Sequence, residues 1–532
     1  DCPAPELAWD DARRAALGRA LAARPGGDAL GPAVLAALDA RAADLRDRFS
    51  TTCSEDQPDE RRAACLERRR TAFVGLAAAL AEVSGPALDR AAAAVDALPP
   101  ARECDDPQAL SGVAPPPADP ALRGRLRRQA EDLDRVAALL ALGEPNRARD
   151  GAQAQLAAAA REEHLPARAR ALYVRAALER ATGRAPEAER TLEEALWAAE
   201  ASRHDEVAAD ALLLLLELES EDLGRRGEAR RLWSRLSATL RRLGDVGRRE
   251  VAALGRYGRA LLREGDAHAA HDQLTAALRR GEQVLGPRHP GLVPLLLDLA
   301  AAAQKLDRQD EAARRAAEAD ELAAAALPPD HPDRARALVV AGDLARARGE
   351  LTPARARYDQ ALAIYTRIHG QDHADMSPAL LGRGLAAAGE LRWAEAAEDL
   401  RRSIHGWEHL HGPDYPRLVE PLTALCAVES ALGEHAPAQR ACGRAITLAT
   451  RAQAPAQAAV ARFALARAIT AEASARGDAT PETRAQALTV AQQAQDDAVR
   501  AEDAALAAAI SGWLAAQRRL APPDLPDPSG MP

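Results

Sequence analysis

Apolar and small residues recur along this chain with two nested periods. Leu254, Tyr257, Gly258 and Leu261 stand at i, i+3, i+4 and i+7, one face of an α-helix. After a polar break at Gly265-Asp266, Ala270, Leu274 and Ala277 trace a second such face. The larger period is 42 residues and runs without insertion from about Gly247 to Arg451. It aligns Leu254, Leu296, Leu338, Leu380 and Leu422 in one column, and Gly258, Ala300, Gly342, Gly384 and Cys426 in a column of small residues. Ala270, Ala312, Ala354, Ala396 and Ala438 form a third, and Ala277, Ala319, Ala361, Ser403 and Ala445 a fourth. A loop punctuates each unit: Gly286-Pro-Arg-His-Pro290, Pro328-Pro-Asp-His-Pro332, Gly370-Gln-Asp-His-Ala374 and Gly412-Pro-Asp-Tyr-Pro416. Five units in register predict a stack of helical pairs, each burying its apolar face against its neighbours.

The order of large, small and large positions in each unit resembles the tetratricopeptide pattern, W-x2-L-G-x2-Y followed by A-x3-F and A, with Leu or Tyr in the large places. Small residues are needed where paired helices cross closely. About eight residues exceed the usual repeat of about 34 and fall after the second helix, a form similar to the repeats of kinesin light chains. HEAT-type repeats share the period but not the Gly/Ala spacing. The expected fold class is all-α, a right-handed superhelix preceded by a small cysteine-containing helical block. Composition agrees, with 47% apolar but only 3% aromatic residues and a dominance of helix-forming Ala, Leu, Arg and Glu. A net charge of −9 argues against nonspecific nucleic-acid binding. No stretch has the roughly 18 uninterrupted apolar residues of a membrane span, so any membrane attachment is expected through a segment outside this chain. The first residue is Asp1 rather than Met, and a processed form or an excerpt is the expectation.

Residues 1–112 do not fit the repeat. Helices are expected over about 6–23, 32–49, 59–83 and 86–98, broken by Pro and Gly. A Pro-rich linker follows at 113–120, then a solenoid over 121–520 of about nine helical pairs and a capping helix, its regular array at 249–451. The pair at about 206–245 slips by one residue, with Ala229 where the grid calls for position 228. The tail 521–532 reads as disordered.

Within the first block, Trp9-Asp10-x-x-Arg13-Arg14, Cys65-Leu66-x-Arg68-Arg69 and Ala97-Leu98-Pro99-Pro100 with Cys104 resemble the region after the membrane span of bacterial tetratricopeptide-containing serine/threonine protein kinases. That resemblance implies an extracytoplasmic sensory or interaction region, with a cytoplasmic adaptor or assembly scaffold as the alternative. No kinase is expected in the chain itself: Lys305 is its single lysine, and no glycine-rich loop, His-Arg-Asp or Asp-Phe-Gly occurs. The same lysine excludes a P-loop, and no G-x-S-x-G elbow is present.

His289, His331 and His373 recur in the loops, where the expected roles are packing between repeats, with Asp330, Asp372 and Asp414 accepting from the first-turn amides. His405, His409 and His411 could offer two ligands to a metal, but a helix C-terminus favours histidines without one. No metal or cofactor is expected, and a metal-dependent enzyme is a distant third reading. The cysteines cluster as Cys2/Cys104, Cys53/Cys65 and Cys426/Cys442. They read either as three disulfides of an oxidising compartment or as six buried thiols of a cytosolic protein.

The expected function is binding of protein or peptide, without catalysis. The asparagine clamp of kinesin light chains is missing, since Asn146 is the only asparagine. What remains on the first helices is charge. Arg256, Arg259 and Arg263 share one stripe, with Lys305, Arg336 and Arg346 toward the same concave groove and Asp298 and Asp343 among them. The excess of guanidinium groups suits an acidic segment or a C-terminal carboxylate.

Overall fold

In a computed structural model, residues 9–24, 27–54, 59–83, 85–107, 110, 115–225, 227–244, 247–370, 373–477 and 480–519 are described. Helices dominate, and no strand occurs among the described residues. Cys2, positions 113 and 114 of the linker, and the tail 521–532 lie outside them. The chain divides into two compact units, Asp1–Ala337 with Arg367–His369, and Leu338–Thr366 with Gly370–Pro532.

The first unit opens with helices Asp11–Ala22, Gly27–Cys53 and Glu60–Glu82. The second starts earlier than its proline suggested, because Pro32 lies within its second turn, where few intrahelical amides are lost. A single helix over 86–98 does not form. A 3-10 turn, Gly85–Arg90, leads instead into the short helix Ala91–Ala97, and a second such turn follows at Ala101–Asp105. Helical pairs then succeed one another: Pro120–Ala141 with Pro145–Ala159, Leu165–Ala181 with Ala185–Ala201, Asp205–Glu217 with Glu228–Leu243, Gly247–Glu264 with Ala267–Leu285, and Val293–Lys305 with Gln309–Ala326. The slipped register at Ala229 has a local cause. Leu218–Asp222 forms a π-helical turn, in which the Leu223 amide reaches the Leu218 carbonyl at 2.9 Å, and the wider turn absorbs the extra residue.

The division between the units falls within Pro332–Ala347. The second unit continues with Leu351–His369, whose last three residues belong to the first unit. The pairs Ser377–Gly389 with Trp393–His411, Val419–Ala431 with His435–Arg451, and Pro455–Arg476 with Pro481–Arg500 follow, and Ala504–Arg519 packs last. The described residues thus hold nine helical pairs after position 120 and a final single helix.

The small-residue columns are the crossing points. All five alanines of the third column are fully buried, as are Ala277, Ala319, Ala361, Ser403 and Ala445. In the second column each residue faces the one sixteen positions later on the partner helix. A Cβ on Gly258 would come within 2.6 Å of Leu274, one on Gly342 within 2.7 Å of Tyr358, and one on Gly384 within 3.1 Å of Leu400. In the next repeat the same two positions hold Cys426 and Cys442, which are disulfide-bonded with Cα atoms 5.4 Å apart.

The cysteines of the first block pair differently from the sequence grouping. Cys65 is bonded to Cys104, so neither Cys2–Cys104 nor Cys53–Cys65 forms. The reason lies in the face of Glu60–Glu82: Arg62, Cys65 and Arg69 stand at i, i+3 and i+7, and all three meet the turn Ala101–Asp105. Arg62 binds Asp105 at 2.8 Å and Arg69 binds Glu103 at 3.2 Å, on either side of the disulfide. Cys53 is also disulfide-bonded.

Candidate interaction face

The first helices of the first unit carry the predicted arginines, and each one meets a carboxylate. Arg256 Nε lies 2.7 Å from Glu217, and Arg259 lies 2.9 Å from Asp298. Arg263 and Arg259 both approach Glu221, at 3.8 and 3.6 Å, and Arg336 holds the other oxygen of Asp298. Glu217 also binds Arg180 at 2.6 Å, as does Asp222. The expected excess of free positive charge is therefore largely compensated from within the chain. The carboxylates lie deeper than the arginines: the Asp298 side chain is 6% exposed, whereas those of Arg256 and Arg336 remain 36% and 33% exposed.

Three predicted residues stand apart from this ladder. Lys305 is exposed in the last turn of Val293–Lys305. Asp343 and Arg346 belong to the second unit, where they lie 3.9 Å apart and Asp343 accepts a hydrogen bond of 2.7 Å from the Tyr358 hydroxyl.

Sequence reasoning missed Arg180, Glu217, Glu221 and Asp222. A usable signal was present. Asp210 pairs with Arg249, Glu217 with Arg256, and Asp298 with Arg259, each 39 residues apart. That spacing is one repeat less about one helical turn, as expected for side-by-side first helices offset along their axes.

The ladder reaches into the cysteine-bearing block. Arg68 and Arg69 bind Glu206 at 2.9 and 2.8 Å. Burial alone would raise this carboxyl, but the two arginines hold it well below the usual carboxylate range. Burial, with Arg68 nearby, pushes His204 down to about 3, so its ring is neutral. Asp96 joins Arg248 at 2.6 Å and His289 at 3.1 Å. The block thus covers the beginning of this face, and the stretch from Arg256 to Arg336 follows it.

The π turn brings a second carboxylate pair together. Arg225 donates to Glu189 at 2.9 Å and to Glu219 at 3.2 Å, while the other Glu219 oxygen is buried without a hydrogen-bond partner. Burial, aided by Glu189 and opposed by Arg225, pushes Glu219 up to about 7 from an ordinary 4.5. A carboxyl raised on folding stabilises the fold fully below the unfolded value, and that contribution is lost as pH rises through the folded one. Glu219→Gln is expected to raise stability at pH 8 by on the order of 1 kcal/mol and to change little at pH 4, read by urea unfolding at both values.

The loop histidines do what the aspartates were expected to do. His289 Nδ1 accepts from the Gly291 amide at 3.0 Å, His331 Nδ1 from Asp333 at 3.1 Å and His373 Nδ1 from Asp375 at 3.2 Å. Asp330 and Asp414 instead bind Arg367 and Arg451, at 2.6 and 2.9 Å. Asp372 lies outside the described residues. Of the later histidines, His405 and His409 are exposed with ring centres 6.3 Å apart, and His411 stacks on Tyr415 at 4.1 Å. No helix of the described residues is long and apolar enough to cross a membrane.

No curated protein matches the sequence. In structure the chain is similar to a Rap protein crystallised with competence and sporulation factor, at 12% identity over 66% of this chain and 98% of that one, with a TM-score of 0.42. It is also similar to a kinesin light chain from Podosopora anserina with nearly identical TPR-like repeats, at 18% identity over 38% and 96% and a TM-score of 0.30. A signal transduction ATPase with a tetratricopeptide repeat sensor from Pyrococcus horikoshii aligns at 12% identity over 72% and 55%, with a TM-score of 0.44. Residues 334–375 match the tetratricopeptide repeat family, and they are one period of the array whose crossing points are described above. That match is set in a run of helical pairs that keeps its register on both sides, so the chain carries a tetratricopeptide repeat within an all-helical repeat fold.

Proposed function

We propose that this chain is a non-catalytic scaffold that binds an acidic protein segment or a C-terminal carboxylate on the first helices of its first unit. The observation that carries the reading is the ladder itself, in which Arg256 and Arg336 keep about a third of their side chains exposed above deeply seated carboxylates. An incoming carboxylate would bind from the solvent side, where a fork already oriented by Glu217 or Asp298 loses little further freedom. The reading places the chain outside the cytoplasm, as the sensory region of a bacterial membrane serine/threonine kinase. The bonded cysteines support an oxidising compartment.

The test uses a glutamate-rich peptide and the double variant Arg256→Ser/Arg263→Ser, which keeps the deeper Arg259–Asp298 pair. Binding at low salt is expected to weaken about tenfold or more with little change in melting temperature. Undiminished binding by the variant would remove the face from consideration.

A further inference from the structure

At the end of the second unit, the helices Pro455–Arg476, Pro481–Arg500 and Ala504–Arg519 line a partly open cavity of about 200 Å³. We propose that this cavity binds a small monocarboxylate with an aromatic or branched apolar body, its carboxylate seated on Arg484. The site is distinct from the first-helix face and does not depend on that reading.

The cavity exists because its neighbours are propped apart. Trp513 of the last helix meets Phe463 edge to face, with ring centres 5.8 Å apart and planes at 84°. Beside that contact the two longer helices present small residues toward the space, Ala473, Ser474 and Ala487 among them. The lining divides by chemistry. The indole of Trp513 and the side chain of Leu488 give an apolar wall, while Arg484 and Gln517 supply donors.

Arg484 is the informative residue. Several guanidinium groups of this unit are matched by carboxylates, Arg383 by Asp399 and Asp359, Arg355 by Glu390 and Arg401 by Glu429 and Glu434, while Arg417 and Arg467 lie over aromatic rings. Arg484 is half-buried against the cavity and makes no side-chain ion pair or hydrogen bond among the described residues. The hydroxyls beside it bring no negative charge to the guanidinium, and since Thr470, Ser474 and Thr483 donate to the carbonyls of Ala466, Thr470 and Thr480, Arg484 and Gln517 remain the donors facing the cavity. A planar fork facing a partly apolar cavity is complementary to a carboxylate joined to an apolar body. The volume suits a body somewhat larger than benzene, which fills an apolar cavity of about 150 Å³.

Titration calorimetry on the full chain with phenylacetate, and with neutral phenylacetamide as its isostere, tests this. Saturable binding of phenylacetate is expected. Replacing it by the amide, or Arg484 by Gln, is expected to weaken binding about tenfold or more. Arg484 has no side-chain partner among the described residues, so Arg484→Gln should keep the helical circular dichroism. Gln517→Leu, on a different helix, gives a second and smaller loss. Absence of saturable binding, equal affinity for the amide, or full binding by folded Arg484→Gln would each overturn the proposal.

Discussion

Replacing Gly382 by Ala is expected to destabilise the second unit by about 3 kcal/mol, although alanine is the better helix former by about 1 kcal/mol. The ring of Tyr358 is fully buried and lies between two glycines. A Cβ on Gly382 would fall 2.5 Å from its ring carbons, and one on Gly342 would fall 2.7 Å away. The ring cannot retreat from one without striking the other, and its hydroxyl is tied to Asp343 at 2.7 Å. Gly384, two residues along the same helix, is a fair control, since its Cβ would meet Leu400 at 3.1 Å, and a leucine end can give. The corresponding positions in other repeats hold Leu274 and Leu400, so Tyr358→Leu should partly rescue Gly382→Ala, with a coupling of about 1–2 kcal/mol in a double-mutant cycle. Urea unfolding of the four proteins checks this. Equal loss from Gly382→Ala and Gly384→Ala, with no coupling, would mean that the crossing is not as close as described.

Removing the Cys65–Cys104 bond by Cys65→Ala/Cys104→Ala is expected to cost about 4 kcal/mol, from the loop-closure entropy of a 39-residue separation. The Cys426–Cys442 bond closes a separation of only 16, and removing it by Cys426→Ala/Cys442→Ala should cost about 3 kcal/mol. The second pair has a ready replacement, because Ala300 and Ala316 occupy the same two places in an earlier repeat. The first has none. Losing it frees the turn Ala101–Asp105, and with it the hold of Glu103 on Arg69 and of Asp105 on Arg62. Non-reducing peptide mapping should recover Cys65 joined to Cys104. A Cys53–Cys65 peptide would contradict the packing of Glu60–Glu82 described above.

The repeat was legible in the sequence because its crossing points admit only small residues, so Gly258, Ala300, Gly342 and Gly384 mark them in plain view. The second helices and their turns followed from the same grid. The pairing of Cys65 was hidden because chain order suggests neighbours, whereas the helix face that decides the matter is defined by Arg62 and Arg69 together with a turn some forty residues on. The role of the loop histidines was hidden for a related reason. His and Asp are adjacent in those loops and both can accept from an amide, and only the backbone path decides which one turns inward. The arginine stripe and Asp298 within it were visible, but Glu217, one repeat less a turn before Arg256, was not sought. The cavity beside Arg484 could not be foreseen, because it arises from an aromatic contact between Phe463 and Trp513, fifty positions apart.

The central claim, that the first-helix face of the first unit takes an acidic partner, is tested most directly by photo-crosslinking. A glutamate-rich peptide carrying a benzophenone is bound at low salt, irradiated and mapped by mass spectrometry. Cross-links are expected on Gly247–Glu264 and Val293–Lys305, and they should fall away at high salt and in Arg256→Ser/Arg263→Ser. Cross-links confined to the second helices Ala267–Leu285 and Gln309–Ala326, or unchanged in that variant, would contradict the account.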